Sequence, residues 1–345
     1  MKRHLLGVAA AVLGTVLISG AGFAAVTEAA APVPTTVTLP MFGAPLTLSI
    51  TTDPGGALTN VAVDSANTAN YVATKLQPHK VVFESANAAN PARVVVKSGH
   101  GGQSVSARAG TLAQVSGPGA WSGDVFGTGT ASTVNFVIAA KTDGTPDITG
   151  VTSSAGGVVG TVDYSSGDGH EGDSGSSARV SVKFTNAAGD QSRSLTIAVS
   201  VSAGEDGDMS AKLSISLGRV RGVEGKAVGS HVWSGTLCNN TAASIAYSVA
   251  ADGTLTLGAI APATATSSTG EEGTTVTFTT GERVRISSKM DDNNQVSVNV
   301  KVHIDCGSAN PTTNVTTSIP TPDTGGDNNH VGGSGRNDHK GGKNG

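Results

Sequence analysis

Residues 296–306 read Val-Ser-Val-Asn-Val-Lys-Val-His-Ile-Asp-Cys, apolar and polar in strict alternation. A period of two sends successive side chains to opposite faces of an extended chain, so the stretch is a β-strand with one face buried and one wet. Its apolar face is Val296, Val298, Val300, Val302 and Ile304, with Cys306 in phase. The same alternation recurs upstream. Arg93–Lys97 and Gln103–Arg108 form a hairpin pattern across Gly99–Gly102, as do Leu195–Val201 and Leu213–Leu217 across an acidic Gly-rich turn. Arg283–Ser287 and Gln295–Ile304 do so across Asp291–Asn294. The intervening residues tolerate left-handed backbone or bond it with short side chains. No long amphipathic helix is present; 65–77 is predicted as a short one around Tyr71, Val72 and Leu76.

Both tryptophans sit in one local motif, Trp121-Ser122-Gly123 and Trp233-Ser234-Gly235. Downstream, 134–140 leads into Asp143-Gly144 and 245–251 into Asp252-Gly253, so a strand–strand–turn template is repeated. A copy without Trp lies upstream, where Leu46–Ile50 runs into Asp53-Pro54-Gly55-Gly56. Each copy then has a Phe-containing strand, at Phe83, Phe184 and Phe278. Trp121, Phe126, Phe136, Phe184, Trp233, Tyr247 and Phe278 are the expected repeat core. Repeat-equivalent aromatics pack a core more readily than they form a binding platform.

The fold class expected is all-β: tandem antiparallel β-sandwich-like repeats with a signal peptide and a disordered C-terminal tail. The expected division is 1–31 for signal and short linker, then β modules at 32–118, 119–221 and 222–310, and a tail at 311–345. Boundaries near 118 and 222 are soft, because adjacent copies can share sheets.

Lys2 and Arg3 followed by the apolar stretch Leu5–Ile18 read as a secretory signal, with small residues for cleavage near Ala24-Ala25 or at 29–31. The apolar stretch is too short and too interrupted by Gly for a stable span, and no transmembrane segment is expected in the mature chain. In an exported protein Cys238 and Cys306 are expected to form one structural disulfide, since the pair shows neither CxxC spacing nor a zinc-ligand pattern. The tail carries Pro, Thr, Gly, Asn and Asp with no apolar period, a composition unable to offset the entropy of ordering. Within it, Pro322-Asp323-Thr324-Gly325 resembles the sortase anchoring motif of Gram-positive surface proteins. The leading Leu is absent, with Thr321 in its place, and no apolar span follows, so anchoring by that route is not expected.

Chemistry is sparse. The 345 residues carry a net charge of −4, with 14% charged and 3% aromatic residues, which gives no basic field for nucleic acid or anionic lipid. Gly172-Asp173-Ser174-Gly175 resembles the nucleophile motif of chymotrypsin-like serine proteases. Ser176 breaks the motif, and His79 and His100, the upstream histidines outside the signal, lack that family's context. Acidic clusters at Asp168, His170, Glu171 and Asp173, at Glu205, Asp206 and Asp208, and at Asp291 and Asp292 lack calcium-loop spacing and read as solvated turns. His231 is placed beside the first strand of the last copy, His303 on a polar strand face, and His330 and His339 in the tail. No catalytic residue, cofactor or metal is expected. The chain reads as a secreted, non-enzymatic β-repeat protein, structural or adhesive at the cell envelope or outside it. The alternative is a carbohydrate or cell-wall-polymer binding module. The partner anticipated is a wall polymer or a surface protein.

Overall fold

The computed structural model describes residues 33–318, apart from 100–101, 155, 167–174, 204–207, 224–225, 271–272, 292–293 and 308. The described chain is all-β with antiparallel strand pairing throughout its sheets. The first copy supplies β1 (Thr35–Met41), β2 (Ala44–Thr52) and β3 (Leu58–Val63), then β4 (Tyr71–Gln77), β5 (Lys80–Ser85), β6 (Ala92–Gly99) and β7 (Gly102–Ala109). The second supplies β8 (Gly117–Asp124), β9 (Ala131–Ala140) and β10 (Pro146–Ser153). Short β11 (Gly157–Val159) and β12 (Asp163–Ser166) follow, then β13 (Gly175–Thr185), β14 (Gln191–Ala203) and β15 (Met209–Leu217). After β16 (Arg221–Gly222), the third copy comprises β17 (Gly229–Thr236), β18 (Ala242–Val249), β19 (Leu255–Ala261), β20 (Thr266–Gly270), β21 (Gly273–Thr277), β22 (Arg283–Met290) and β23 (Val296–His303).

In every copy the second and third strands are joined by the same turn. Asp53 N–H donates to Ala57 O and Gly56 N–H to Asp53 O; Lys141, Thr145 and Gly144 repeat the pattern, as do Ala250, Thr254 and Gly253. Gly56, Gly144 and Gly253 stand at φ +82°, +82° and +83°, a left-handed turn position that glycine fills without a Cβ penalty. That requirement is the physical content of the repeated turn motif.

Copies one and two are fused. One sheet runs β10-β9-β8-β1-β2-β3 and the other β11-β13-β14-β15-β7-β6-β5-β4, with β12 on β13 and β16 on β14. First strand meets first strand, Val37 opposite Trp121, and last meets last, Val105 opposite Ile215. Both seams are antiparallel, so the halves are related by an approximate two-fold rotation. Residues 32–118 and 119–221 thus enclose a single core, in which Leu39, Phe83, Trp121, Phe136 and Phe184 are buried together.

The third copy has its own sheets, β17-β18-β19 and β20-β21-β22-β23, around a core of Trp233, Leu237, Ile245, Tyr247, Phe278 and Ile286. Cys238 and Cys306 are disulfide-bonded with Cα atoms 5.2 Å apart, tying the loop after β17 to the chain beyond β23.

Two expectations are corrected. Residues 71–77 form strand β4 rather than a short helix. Asp64 accepts Thr47 N–H at 2.7 Å and Ala66 N–H at 3.1 Å, side-chain bonds that hold 64–70 as a turn in competition with helix. The start of the tail is also ordered. Thr312 bridges Asn60 and Thr317 bridges Ala73 in parallel, Asn314 bonds both Val63 N–H and Val63 O, and Val315 is buried in the large core. Two buried apolar residues, Pro311 and Val315, suffice because β3 and β4 offer ready-made edges to the segment. Residues 319–345, with the Pro322–Gly325 stretch, lie outside the described residues.

Candidate functional site

The two Trp-Ser-Gly motifs build the cores. In the first, a Cβ on Gly123 would sit 2.9 Å from Cζ2 of Trp121; in the second, one on Gly235 would sit 2.6 Å from Cζ2 of Trp233. The ring therefore folds back over its own strand, and only glycine leaves room for it. Each ring then meets the phenylalanine of its copy, Trp121 with Phe184 at 6.4 Å and Trp233 with Phe278 at 6.2 Å between centroids, both tilted. Trp121 is 2% exposed and Trp233 9%. Phe136 and Tyr247 are buried as well, and Phe126 is partly buried against the large core.

The loop after each Trp strand is clasped by a charged side chain, half-buried in one case and buried in the other. Arg193 donates from Nε to Gly218 O at 2.6 Å and from Nη1 to Val125 O at 2.7 Å. Burial lowers its pKa to about 10, and the nearby Asp124 carboxylate acts the other way. In the third copy Glu282 holds the corresponding loop. It accepts Cys238 N–H at 2.8 Å and the Thr280 hydroxyl. Burial raises the Glu282 pKa, but these hydrogen bonds outweigh it and leave the carboxyl below its ordinary range.

Between the third copy and the end of the fused sandwich lies a cleft of about 1300 Å³. Its third-copy wall contains Trp233, Tyr247, Leu257 and the alternating valines of β23; its other wall contains Phe126, Ala187, Asp190 and Val223. The turn between β13 and β14 fixes Asp190: Asn186 Nδ2 donates to Asp190 Oδ1 at 2.7 Å, and Val223 N–H donates to Asp190 O at 2.8 Å. From there Asp190 Oδ2 reaches His231 Nδ1 at 2.9 Å, while His231 Nε2 faces Ala227 O at 2.9 Å. The imidazole stacks on Tyr247, centroids 5.2 Å apart. Burial raises the Asp190 pKa, yet the hydrogen bonds from His231 and Asn186 bring it below the usual range. Burial, and then the Asp190 charge, push the Tyr247 phenol up to about 12.

This His–Asp pair acts as a clamp. Both ring nitrogens are engaged, one by a carboxylate and one by a main-chain carbonyl, so neither is directed at a hydroxyl or thiol to be activated. Sequence reasoning placed His231 beside the first strand of the last copy but not its partner Asp190, which is distant in sequence and carries no local motif.

The other candidates scatter. His303 lies on the exposed face of β23, and Asp291 closes its turn by accepting Gln295 N–H at 2.8 Å. Asp168, His170, Glu171, Asp173, Ser174, Glu205, Asp206, Asp292, His100, His330 and His339 lie outside the described residues. Among the described residues no three His, Cys, Asp or Glu side chains group as metal ligands, and no helix is long and apolar enough to cross a membrane. Among the described residues the most exposed Phe, Trp or Tyr is Tyr164, 52% exposed; Lys141 Nζ stands 3.2 Å above its ring and its hydroxyl donates to Asp147 at 2.6 Å.

Comparison with family models, with curated proteins and with solved structures found no match.

Proposed function

We propose that this is a secreted, non-enzymatic β-repeat protein with a structural or adhesive role at the cell envelope or outside it. The observation that carries the reading is where the repeat's side chains go. Both tryptophans are spent on core packing, and what the third copy leaves open is main-chain edge and alternating valines. The disulfide and the leader-like residues 1–24 support an oxidising, external location.

A second reading, binding of a carbohydrate or cell-wall polymer, is favoured by Tyr164 alone. It is an exposed ring with acidic and basic neighbours, but Lys141 occupies one of its faces. Co-sedimentation with purified cell walls of the source organism separates the two, using residues 32–345 and a shorter chain ending at 318. The cut falls at 318 because 311–318 belong to the fold. Binding by both chains, competed by soluble wall glycan and lost in Tyr164→Ala, would establish the second reading and overturn the first. Binding that disappears with 319–345 would make the sandwiches a displayed cargo attached through the tail. No binding by either chain would sink wall association.

A further inference from the structure

Copies one and two show how this chain treats the outer edges of its repeat. The first strand of a copy and its last strand are paired on one side only by that copy's own sheets, and the free side of each finds the same strand of the other copy. At the β7–β15 seam the inward residues Val105, Ala107, Leu213 and Ile215 are sealed. The third copy has the same two strands, β17 and β23, and each has a hydrogen-bonded strand on one side only among the described residues.

The direction of the unused main-chain groups follows from the turns. Leu237 N–H donates to Thr241 O, so the hydrogen-bonded pairs between β17 and β18 fall on odd-numbered residues of β17. Ser230, Val232 and Ser234 therefore aim their N–H and C=O groups away from β18. Likewise Asp291 N–H donates to Gln295 O, which puts the outward groups of β23 on its even residues, the valines. Those valines are only half-buried, and Val232 is 50% exposed. The fused sandwich covers these edges incompletely. It offers the Asp190–His231 bond and the passage of Gly222 beside Val298 O, and leaves the 1300 Å³ cleft between.

We propose that β17 and β23 pair with the same two strands of a second copy of this chain. Two third copies would then close a two-fold sandwich of the kind that copies one and two close within the molecule. A second copy is the occupant because it is the one partner whose fit this chain already demonstrates: first strand on first strand, last on last, both antiparallel, with outward residues tolerant enough for Arg108 to stand opposite Lys212. Pairing requires the Asp190–His231 contact to open, and it seals the valines as Val105 and Ile215 are sealed. The inference does not depend on the envelope role.

Sedimentation velocity of the full chain, expressed with its own leader, tests this across the micromolar range. The expected result is a concentration-dependent monomer–dimer equilibrium. Val300→Lys points a charge into the space that pairing would seal, while in the monomer the ammonium reaches water past the open edge. Val232→Pro removes an outward N–H and leaves the ladder to β18 intact. Each is expected to weaken the dimer at least about tenfold; Val300 also packs against the third core, so Val232→Pro, at a residue 50% exposed, is the variant expected to retain the melting profile of the monomer. A monomer at every concentration would overturn the proposal, as would a dimer that neither variant disturbs. A persistent monomer that nevertheless binds a synthetic peptide of residues 209–217 would also overturn self-pairing and assign the edges to a foreign strand.

Discussion

Gly123 and Gly235 lack side chains because the tryptophan two residues earlier lies across the space that a Cβ would take. Substituting alanine at either is expected to cost about 1–3 kcal/mol by overpacking, read as a lower melting temperature. In a Trp121→Phe background Gly123→Ala should cost less, because the six-membered ring reaches less far; additive costs would refute the assigned contact. Glu282 makes a second prediction, with its sign set by its depressed pKa. Its contribution is present above the ordinary carboxylate range and lost as pH falls through its lowered folded value. Thermal melts of the third copy should therefore lose stability on acidification through that range, and Glu282→Gln should flatten the loss. The tryptophan and phenylalanine partners were legible as a repeated motif. Arg193 and Glu282 were not, since a lone charge in an alternating strand or in a turn looks the same whether it faces water or a buried loop.

At the scale of elements, alternation announced most strands, because the period of two survives wherever one face is buried. It failed where a segment draws its order from a neighbour. Residues 311–318 hold only two buried apolar residues, Pro311 and Val315, and take their geometry from β3 and β4. Asn314 imitates a strand residue there, bonding Val63 N–H at 2.9 Å and Val63 O at 2.7 Å. Asn314→Ala is expected to cost about 1–3 kcal/mol in the fused sandwich by orphaning those groups, and to leave the melting of the third copy unchanged. Amide exchange at Val63 would report the loss directly. That adjacent copies can share sheets was legible beforehand, but the strands that form the seams, β1–β8 and β7–β15, were not. An edge strand and a central strand with one buried face share a pattern, and only the fold states which strand comes alongside.

At the scale of the whole molecule, the described residues form two hydrophobic cores, and only one of these carries a covalent tie. Reduction of Cys238–Cys306, which are 68 residues apart, is expected to remove about 4 kcal/mol from the third copy on the chain-entropy model. Calorimetry with and without reductant should show one transition moved down and the other in place; a common shift would mean that the cores unfold as a unit. The strap at 312–317 has a mechanical meaning as well. Because it is bonded to β3 and β4, the third copy hangs from the fused sandwich at both of its ends, a closed loop of chain between Leu217 and Thr312. Tension applied between β1 and residue 318 passes through the strap directly into the first copy and bypasses the third. The third copy enters the load path only after the strap peels, so an optical-tweezer trace should open with a small rupture followed by a disulfide-limited extension.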